Sequence, residues 1–403
     1  MKYHFYALIL VGGAAGLFCA ISAKTKHPKL RVAVIEKNDR VGKKLLATGN
    51  GRCNLTNLHL SGANYTGSLQ PRMETLLTDY NAAFLREEFG RLGLMTCADS
   101  EGRVYPVSKQ ASSVLDVLRF ACERLGVELF CAETPHSVQR QQEGFTIKTG
   151  ENVYTGDKLV IACGSKAAPK LGGSAAGMDI LRNLGLRTAP FQPALCPVRV
   201  QSAYLKSLKG LRAAGSVSLW RGNQCLKTEA GEIQFADGAL SGICVFNLSL
   251  FTQKGDVITA DLLPDISERE LSIILKRNFS LFSLQTADRL LTGILQTRLA
   301  QAVMKQSGVA NLSLPCGKLT EQQLRAVAKT VKCFPFTVTE NSGFDQAQCA
   351  RGGVLASELD SKLQSKKIKN LFVCGEAVDI CGICGGYNLH FAFVSGKIVG
   401  EEL

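Results

Sequence analysis

The chain has 403 residues, and 46% of them are apolar, which is enough to bury the cores of two or three domains. Only 11 prolines and no low-complexity tract are present, which excludes a largely disordered protein. The net charge of +13 is compatible with nucleic acid, an anionic membrane or anionic small molecules as partners. The basic residues are scattered along the chain, however, and a phosphate-bearing small molecule explains the charge at least as well.

The N-terminal stretch has the order strand, glycine turn, helix, strand and acid. An apolar run at residues 6–11 precedes the turn, and a helix-compatible segment at 17–24 precedes the β-rich run 31–35, which ends on Glu36. Small residues let the backbone approach a pyrophosphate, and the helix N-terminus presents free N–H groups to it. The acid lies 20 residues after the last glycine, where it can accept hydrogen bonds from ribose hydroxyls. The stretch therefore predicts a dinucleotide-binding βαβ unit whose turn residues are Gly12, Gly13, Ala14, Ala15 and Gly16.

Val11 stands where the first glycine of a G-x-G-x-x-G fingerprint normally makes the tight turn out of the strand. A β-branched residue takes a positive φ there only with strain, so an ordinary βαβ unit stays open as an alternative. A signal peptide or a membrane span is a second alternative, because Lys2 is followed by mostly apolar residues from 5 to 22. The glycines at turn spacing and the strand that follows them argue against this second interpretation.

A basic loop follows the acid, from Lys37 to Asn54, and combines glycines and asparagines with lysines and arginines. Such a composition is poor in helix and strand formers, and it can wrap an anion. We expect this loop to surround a pyrophosphate and a ring; the alternative is a long basic surface loop. Downstream we predict helices at 72–95 and 111–125, strands at 127–131 and 158–164, an extended piece at 101–108, a hairpin at 145–155 and a helix-start loop at 172–177.

The texture of the sequence changes near residue 190. Short alternating runs then predict a small antiparallel sheet or barrel, and two later segments are helical by periodicity. The runs lie at 198–200, 216–220, 232–235, 242–250 and 256–262, and the helical segments at 266–307 and 319–332. We therefore predict an α/β domain in two parts, 1–189 and 338–403, with an inserted β-barrel-like domain at 190–337 that carries a helical cap at about 266–332.

The C-terminal segment again shows the strand, glycine and helix pattern of the N-terminal segment. A strand-like run ends in Gly375 and Glu376, and a glycine-rich stretch leads into a small-residue helix at 392–399. A helix N-terminus after such glycines can face an anion, and it can stabilise the reduced, anionic form of a flavin ring. The alternative is an ordinary glycine-rich turn and helix.

These motifs together resemble the two-dinucleotide-fold flavoproteins, and among them the bacterial BaiN-type, aminoacetone-oxidase-like NAD(P)/FAD-dependent oxidoreductases. The Gly-Arg-Cys-Asn and Gly-Gly-Tyr-Asn pieces are specific, and the resemblance runs nearly from end to end. The matching pieces are Gly12 to Leu17, Glu36 to Asn38, Gly42 to Leu46, Gly51 to Asn57, Gly102 to Ser108, Ala162 to Gly164, Leu240 to Gly242, Gly352 to Val354 and Gly385 to Leu389.

The resemblance implies FAD, held by a discontinuous Rossmann-like domain, with the inserted unit covering the flavin face. It implies that residues 13–16 hold the pyrophosphate and that Glu36 binds the adenosine ribose. Gly375 and Glu376 would meet the ribityl–pyrophosphate region, and residues 386–389 would lie beside the isoalloxazine. The expected cofactor-binding residues are Gly12, Gly13, Ala14, Ala15, Gly16, Glu36, Lys37, Lys43, Gly51, Arg52, Cys53, Asn54, Ala162, Gly164, Gly375, Glu376, Asp379, Gly385, Gly386, Tyr387, Asn388 and Leu389.

The resemblance thus implies a cytoplasmic FAD-dependent oxidoreductase that takes a hydride from NAD(P)H or an organic donor. It would reduce a small carbonyl or unsaturated substrate, or oxygen, and NAD(P)H would bind transiently because no separate nicotinamide-binding domain is evident. We expect neither a nucleic-acid partner nor a membrane span. No His–Asp or paired-carboxylate constellation stands out, so no catalytic acid or base is assigned. Two alternatives remain: a flavoprotein acting on RNA, suggested by the net charge, and a non-catalytic flavin-binding redox sensor.

The 15 cysteines are odd in number and spread through apolar segments, which fits free thiols in a reducing cytoplasm better than a secreted disulfide framework. Most of them, such as Cys19 and Cys122, are expected to be small core residues. No pattern of metal ligands is present, so no metal site is predicted. Cys381 and Cys384 form a C-x-x-C that should lie against the flavin, and they are a candidate redox pair. We favour the alternative, in which both pack a glycine-rich loop.

Overall fold

In the computed structural model, which describes residues Met1–Leu403, the chain forms two compact units. Unit 1 combines Met1–Ala194 with Phe344–Leu403, and unit 2 is the segment Leu195–Gly343. The domain division expected from the sequence, with changes after residues 189 and 337, remains a prediction. The compact units change over a few residues later along the chain.

Twenty strands and twelve α-helices make up the regular structure. The strands are β1 (Lys2–Leu10), β2 (Val32–Ile35), β3 (Thr56–Asn57), β4 (Tyr65–Thr66), β5 (Thr96–Ala98), β6 (Arg103–Pro106), β7 (Glu128–Phe130), β8 (Ser137–Arg140), β9 (Phe145–Lys148), β10 (Val153–Ile161), β11 (Thr188–Ala194), β12 (Val198–Gln201), β13 (Arg212–Arg221), β14 (Gln224–Ala236), β15 (Ala239–Ser241), β16 (Val257–Asp261), β17 (Phe334–Asn341), β18 (Cys349–Val354), β19 (Leu371–Val373) and β20 (Cys381–Gly382). The helices are α1 (Ala14–Lys26), α2 (Lys43–Ala47), α3 (Met73–Asp79), α4 (Ala82–Arg91), α5 (Ala111–Leu125), α6 (Ala176–Asn183), α7 (Leu205–Leu208), α8 (Ile243–Ser249), α9 (Glu268–Leu281), α10 (Thr297–Gln306), α11 (Glu321–Lys332) and α12 (Tyr387–Glu401).

The large sheet of unit 1 has the strand order β7-β2-β1-β10-β9-β8, and β19 also pairs with β10. β1 pairs in parallel with β2 and β10, and β10 pairs in parallel with β19. All four residues of β2 and the last four of β1 are buried, as expected for parallel strands covered on both faces. The hairpin at 145–155 is confirmed, but its second strand continues without a break into the strand expected at 158–164.

The apolar stretch from residue 5 to residue 22 is divided between β1, the glycine turn and α1. None of the helices in the structure has both the length and the apolar character that crossing a bilayer requires.

Helices α1 and α12 pack closely against each other in unit 1 through glycines. A Cβ atom at Gly396 would lie 2.4 Å from the carbonyl oxygen of Ala15, and one at Gly400 would lie 2.4 Å from that of Cys19. The four-residue spacing places both glycines on one face of α12. Neither position can carry a side chain while the two helices keep this distance. The helix itself begins at Tyr387, earlier than the helix expected at 392–399.

Unit 2 contains a closed barrel with the strand order β12-β15-β14-β13-β16-β17. Helices α9, α10 and α11 contribute to the same hydrophobic core. The starts of α9 and α11 are capping boxes, Ser267 with Glu270 and Thr320 with Gln323. The fold class expected from the sequence is confirmed: a discontinuous α/β unit with a parallel sheet, and a barrel accompanied by helices.

The strand expected at 242–250 is wrong, because this segment forms α8. Cys244, Val245 and Leu248 follow helical spacing and are buried, and α8 packs against β14. A short apolar run satisfies strand and helix periodicity alike, so the pattern alone could not decide between them.

Two helical predictions were too long. The helix expected at 72–95 is broken into α3 and α4, because the Asn81 side chain accepts a hydrogen bond from the N–H of Phe84 and starts a new helix. The segment 266–307 is likewise divided into α9 and α10, with only one 3₁₀ turn, Ala287–Arg289, between them.

Candidate functional site

The carboxyl ends of four parallel strands meet at one edge of the unit 1 sheet. The registers place Leu10 beside Ile35 and Ile161, and Ile161 beside Val373. In open α/β sheets, ligands bind outside this edge, where the connections leave the strands. The predicted cofactor segments follow these ends directly: residues 11–16 after β1, Glu36 after β2, residues 162–164 after β10 and residues 375–376 after β19.

The turn from β1 into α1 brings backbone groups close together. Val11 has a φ of +77°, a left-handed conformation that is strained for a β-branched side chain. Its carbonyl oxygen approaches the helix so closely that a Cβ atom at Gly16 would lie 2.1 Å away. A Cβ atom at Gly13 would meet no atom within 4 Å, so open space lies beside the first turn of α1.

Glu36 lies at the end of β2 with only 2% of its surface exposed. One carboxylate oxygen accepts the backbone N–H of Gly12 at 3.0 Å. The other accepts the backbone N–H and the side-chain amide of Asn38, at 2.9 and 2.6 Å. An ionised carboxylate has about four acceptor positions. Three are therefore filled by the protein, and one is left for a ligand hydroxyl.

These groups fit a dinucleotide. The N-cap of α1 is Gly13, which provides no side-chain cap, and no acidic residue lies in the first turn. Its first N–H groups can therefore bind a phosphate, which the helix dipole also favours. Open space lies beside these N–H groups at Gly13, as a pyrophosphate requires, and the spare acceptor of Glu36 suits a ribose hydroxyl.

The basic loop after Glu36 contains a short helix, which the sequence analysis did not predict. The left-handed φ of +74° at Gly42 starts α2, and a 3₁₀ turn follows at Thr48–Gly51. The buried side chain of Leu45 fixes one side of α2. On another side, the Lys44 ammonium lies 2.9 Å from a carboxylate oxygen of Glu376. An ion pair thus joins the N-terminal loop to the segment after β19.

Both carboxylate oxygens of Glu376 have a partner, so its position in the ion pair with Lys44 is fixed. The second carboxylate oxygen of Glu376 accepts the backbone N–H of Ala350 at 2.9 Å. Burial lowers the pKa of Lys44, but the charge and hydrogen bond of Glu376 more than offset this, and the pKa ends above its ordinary value. Lys44 is therefore charged at neutral pH. The sequence motif predicted the neighbouring Lys43 as a cofactor-binding residue, and this stays a prediction. Only the distant contact with Glu376 distinguishes the two lysines.

The loop that leads into α12 is ordered by asparagine side chains. The Asn388 amide donates to the carbonyl oxygen of Gly382 and accepts from its N–H, both at 2.8 Å. The Asn57 amide donates to the carbonyl oxygen of Gly385 at 3.0 Å. Gly385 and Gly386 have φ values of +121° and +103°, which favour glycine. The side chain of Asn388 thus holds the loop and is already committed to backbone groups.

Asn54 supplies a buried acceptor beside the same loop. Its side-chain oxygen is buried without a hydrogen-bond partner, and a Cβ atom at Gly386 would lie 2.8 Å from it. Leaving such an acceptor unsatisfied costs about 1–3 kcal/mol. A ligand N–H at this place would remove that cost, which fits a flavin ring against this loop.

Several predicted cofactor residues have other contacts. The Asp379 carboxylate accepts the N–H of Ser68 at 2.9 Å. The Arg52 guanidinium lies over the ring of Tyr105, 5.1 Å from its centroid. Burial raises the pKa of Cys53 to about 12, so it packs as a neutral thiol. Gly51 is exposed, Ala162 is buried, and Lys37, Lys43, Gly164 and Leu389 are partly exposed.

His390, in the first turn of α12, is fully buried. Its Nδ1 lies 2.9 Å from the Thr56 hydroxyl, and its Nε2 lies 2.9 Å from the carbonyl oxygen of Tyr80. Because a carbonyl only accepts, Nε2 carries the proton and Nδ1 accepts from Thr56. Burial lowers the pKa of His390 to about 4, despite the contact with the Tyr80 carbonyl. The ring is therefore a neutral link between α12 and β3.

Cys381 has a sulfur neighbour that chain spacing did not reveal. Its Sγ lies 2.8 Å from the Sγ of Cys349, and the two residues belong to β20 and β18. The C-x-x-C spacing made Cys381 and Cys384 a candidate redox pair, and the packing role favoured over it stays a prediction.

The parallel sheet, the glycine turn with its buried acid, and the second glycine loop together define a Rossmann-type FAD-dependent oxidoreductase. The chain belongs to the family described as "HI0933-like protein Rossmann domain", whose profile matches residues 5–402. This membership, with the relative described next, confirms the resemblance to BaiN-type oxidoreductases.

Named relatives match almost the whole chain. The chain is 31% identical over 400 residues to the 3-dehydro-bile acid delta(4,6)-reductase of Clostridium scindens, across 98% of this chain and 97% of the relative. It is 27% identical to the ribosomal RNA dihydrouridine synthase of Escherichia coli, across 99% and 98%. Among solved structures, E. coli quinol fumarate reductase FrdA gives a TM-score of 0.51 at 14% identity, across 100% of this chain and 70% of that chain. This last likeness shows a shared fold.

Replacing Val11 with glycine is expected to raise the free energy of unfolding by about 1 kcal/mol. The relief of roughly 1–2 kcal/mol of left-handed strain exceeds the roughly 0.5–1 kcal/mol that glycine costs in the flexibility of the unfolded chain. Denaturant unfolding of the two proteins measures the difference. Val107→Gly is the control, since Val107 is exposed with an ordinary φ, and glycine there should lower stability. A loss of stability in both variants would contradict the strain at Val11.

The free energy of unfolding is expected to fall as the pH is lowered from about 6.5 to about 4. In this range His390 binds a proton in the unfolded chain but stays neutral in the folded protein, because burial lowers its pKa. The depressed pKa predicts a loss of up to about 3 kcal/mol across that range. Unfolding free energies at several pH values measure it. His390→Gln should flatten this part of the profile, whereas His136→Gln, at an exposed histidine, should leave it unchanged. Equal slopes in all three proteins would rule out His390 as the cause.

Proposed function

We propose that the protein reduces a carbon–carbon double bond conjugated to a carbonyl group in a small molecule, with NAD(P)H as the electron donor. The observation that carries this proposal is the end-to-end match with a delta(4,6)-reductase of a 3-dehydro bile acid. That name describes double bonds conjugated to a ring ketone. A carbonyl withdraws electrons from such a double bond, which makes its far carbon a hydride acceptor.

Bound FAD would supply the two-electron chemistry between the donor and the substrate. The residues of this chain would bind and orient it. We assign the pyrophosphate to the N–H groups at Gly13–Gly16, the adenosine ribose to Glu36, and the ribityl–pyrophosphate region to Gly375 and Glu376, next to the charged Lys44. The isoalloxazine would lie against the loop at 385–389.

The loop at 385–389 suits this role because it is stiff before any ligand arrives. Asn388 fixes it to Gly382, and Asn57 fixes it from β3. A ring that stacks or hydrogen-bonds there loses little free energy in ordering the protein. The uncapped N-terminus of α12 follows directly and would favour negative charge on the adjacent ring edge.

A second candidate substrate is uridine in RNA. Two relatives, from E. coli at 27% and from Haemophilus influenzae at 24% identity, are named ribosomal RNA dihydrouridine synthases. Reduction of uridine also saturates a double bond conjugated to a carbonyl, and the net charge of +13 suits a polyanion. The scattered arrangement of the basic residues makes a small molecule the better-supported substrate.

Anaerobic half-reactions test the proposal. The purified flavoprotein should lose its oxidised flavin absorbance on titration with NADH or NADPH. It should regain that absorbance on addition of a steroid with a ketone-conjugated diene, with product identified by mass spectrometry. The same steroid without the double bonds is the control and should leave the flavin reduced. Reoxidation by uridine-containing ribosomal RNA, but not by the steroid, would favour the second candidate. Reoxidation by neither would overturn both.

The pyrophosphate assignment is tested at Gly13, where a side chain fits without contact. Gly13 has an ordinary φ of −84° at the helix N-cap, so Gly13→Asp and Gly13→Asn should both fold and cap α1. The aspartate should abolish FAD retention because its charge opposes the pyrophosphate, whereas the neutral, isosteric asparagine should weaken FAD binding less. Thermal melting of the apoproteins checks folding, and fluorescence of released FAD measures binding. Equal FAD content in the two variants would contradict the assignment.

A further inference from the structure

Two thiols of unit 1 lie close together next to the segments assigned to the cofactor. The Sγ atoms of Cys349 and Cys381 are 2.8 Å apart, and a disulfide bond requires about 2.05 Å. The two residues are on separate strands, β18 and β20, and only 3% and 1% of their surfaces are exposed. Small side-chain movements would therefore suffice for a covalent bond.

Burial limits the partners with which this pair can exchange electrons. A protein disulfide or a glutathione-sized molecule cannot approach sulfur atoms that are almost completely covered. Burial also raises the pKa of Cys349 well above its ordinary value, so the Cys349 thiol stays protonated and is a poor nucleophile toward a disulfide from solution. Any fast two-electron partner must therefore be bound within the protein.

Both cysteines adjoin segments assigned to the cofactor. Cys349 precedes Ala350, whose N–H donates to Glu376 in the ion pair with Lys44. Cys381 precedes Gly382, which Asn388 holds at the start of the predicted isoalloxazine loop. The charge of Lys44 also acts on both sulfur atoms. Each cysteine is therefore next in sequence to a residue that contacts a segment assigned to FAD: Ala350 bonds Glu376, and Gly382 is held by Asn388.

We propose that Cys349 and Cys381 form a dithiol–disulfide couple that exchanges two electrons with FAD bound in the same unit. In the oxidising direction both S–H bonds break and one S–S bond forms, and two electrons and two protons pass to oxidised FAD. The reverse transfer regenerates the dithiol. The proposal rests on FAD binding and not on the substrate or the donor proposed above, so failure of those half-reactions leaves it testable.

An anaerobic titration with dithionite counts the electrons. Air-oxidised wild-type holoprotein should take up two more electrons per FAD than the Cys349→Ser and Cys381→Ser holoproteins, because a disulfide is a two-electron couple. Cys122→Ser, which removes a buried thiol from α5, is the matched control and should behave as wild type. Equal uptake in wild type and the Cys349→Ser variant would overturn the proposal.

Alkylation provides a readout that needs no variant to fold. Wild-type protein is denatured anaerobically with one alkylating reagent, then reduced and treated with an isotopically heavy form of the reagent. Peptides containing residues 349 and 381 should carry the heavy label in the oxidised sample and the light label after dithionite. The light label at both positions in both samples would overturn the proposal.

Two further comparisons separate this couple from its competitors. Cys384→Ser should leave the electron uptake unchanged, and a loss there with retention in Cys349→Ser would assign the redox pair to the C-x-x-C instead. FAD-free protein exposed to air should keep Cys349 and Cys381 reduced for much longer than holoprotein. Equal oxidation with and without FAD would show that the cofactor is not the partner.

Discussion

The approach of the Val11 carbonyl oxygen to the backbone of Gly16 constrains much of unit 1. No side chain fits between them, so α1 starts directly at the end of β1 with its N–H groups at the sheet edge. The bond from Gly12 to the buried Glu36 then fixes the turn to the neighbouring strand. Gly396 and Gly400 pack α12 closely against α1. The position of the second glycine loop, which leads into α12, therefore also depends on this turn. A left-handed valine is the local cost of the arrangement.

Most helices and strands could be predicted from local patterns in the sequence. Helix α5 occupies the 111–125 range that its periodicity predicted, and the run ending in Gly375 and Glu376 is a strand followed by a turn. These elements have strong signals within a few residues, such as amphipathic spacing or a glycine at the end. The strand prediction for residues 242–250 was wrong for the opposite reason. This short apolar run has neither the length nor the cap that would distinguish a helix from a strand.

The candidate site depended on contacts that no local pattern contains. Lys44 and Lys43 are equivalent in the sequence, and only folding brings one of them to Glu376. The C-x-x-C spacing suggests Cys384, three positions along, as the partner of Cys381. The sulfur of Cys381 lies instead against that of Cys349, on another strand. The side chain of Asn388 holds the loop through Gly382, and its expected place beside a ring stays a prediction. The motifs therefore predicted which segments meet at the sheet edge, whereas the contacts of the individual side chains required the structure.

The discontinuity of unit 1 has a consequence for synthesis of the chain. α1 is complete at residue 26, but the helix that covers it, α12, spans Tyr387–Glu401 and is made only after unit 2. At about 5–20 residues per second, the intervening stretch takes roughly 20 to 70 seconds to make. Until then the small-residue face of α1 lacks α12, whereas unit 2, Leu195–Gly343, is complete before α12 is made and can fold first. Contacts of such long sequence separation slow folding, so a bound chaperone would have the greatest effect on the first half of the nascent chain.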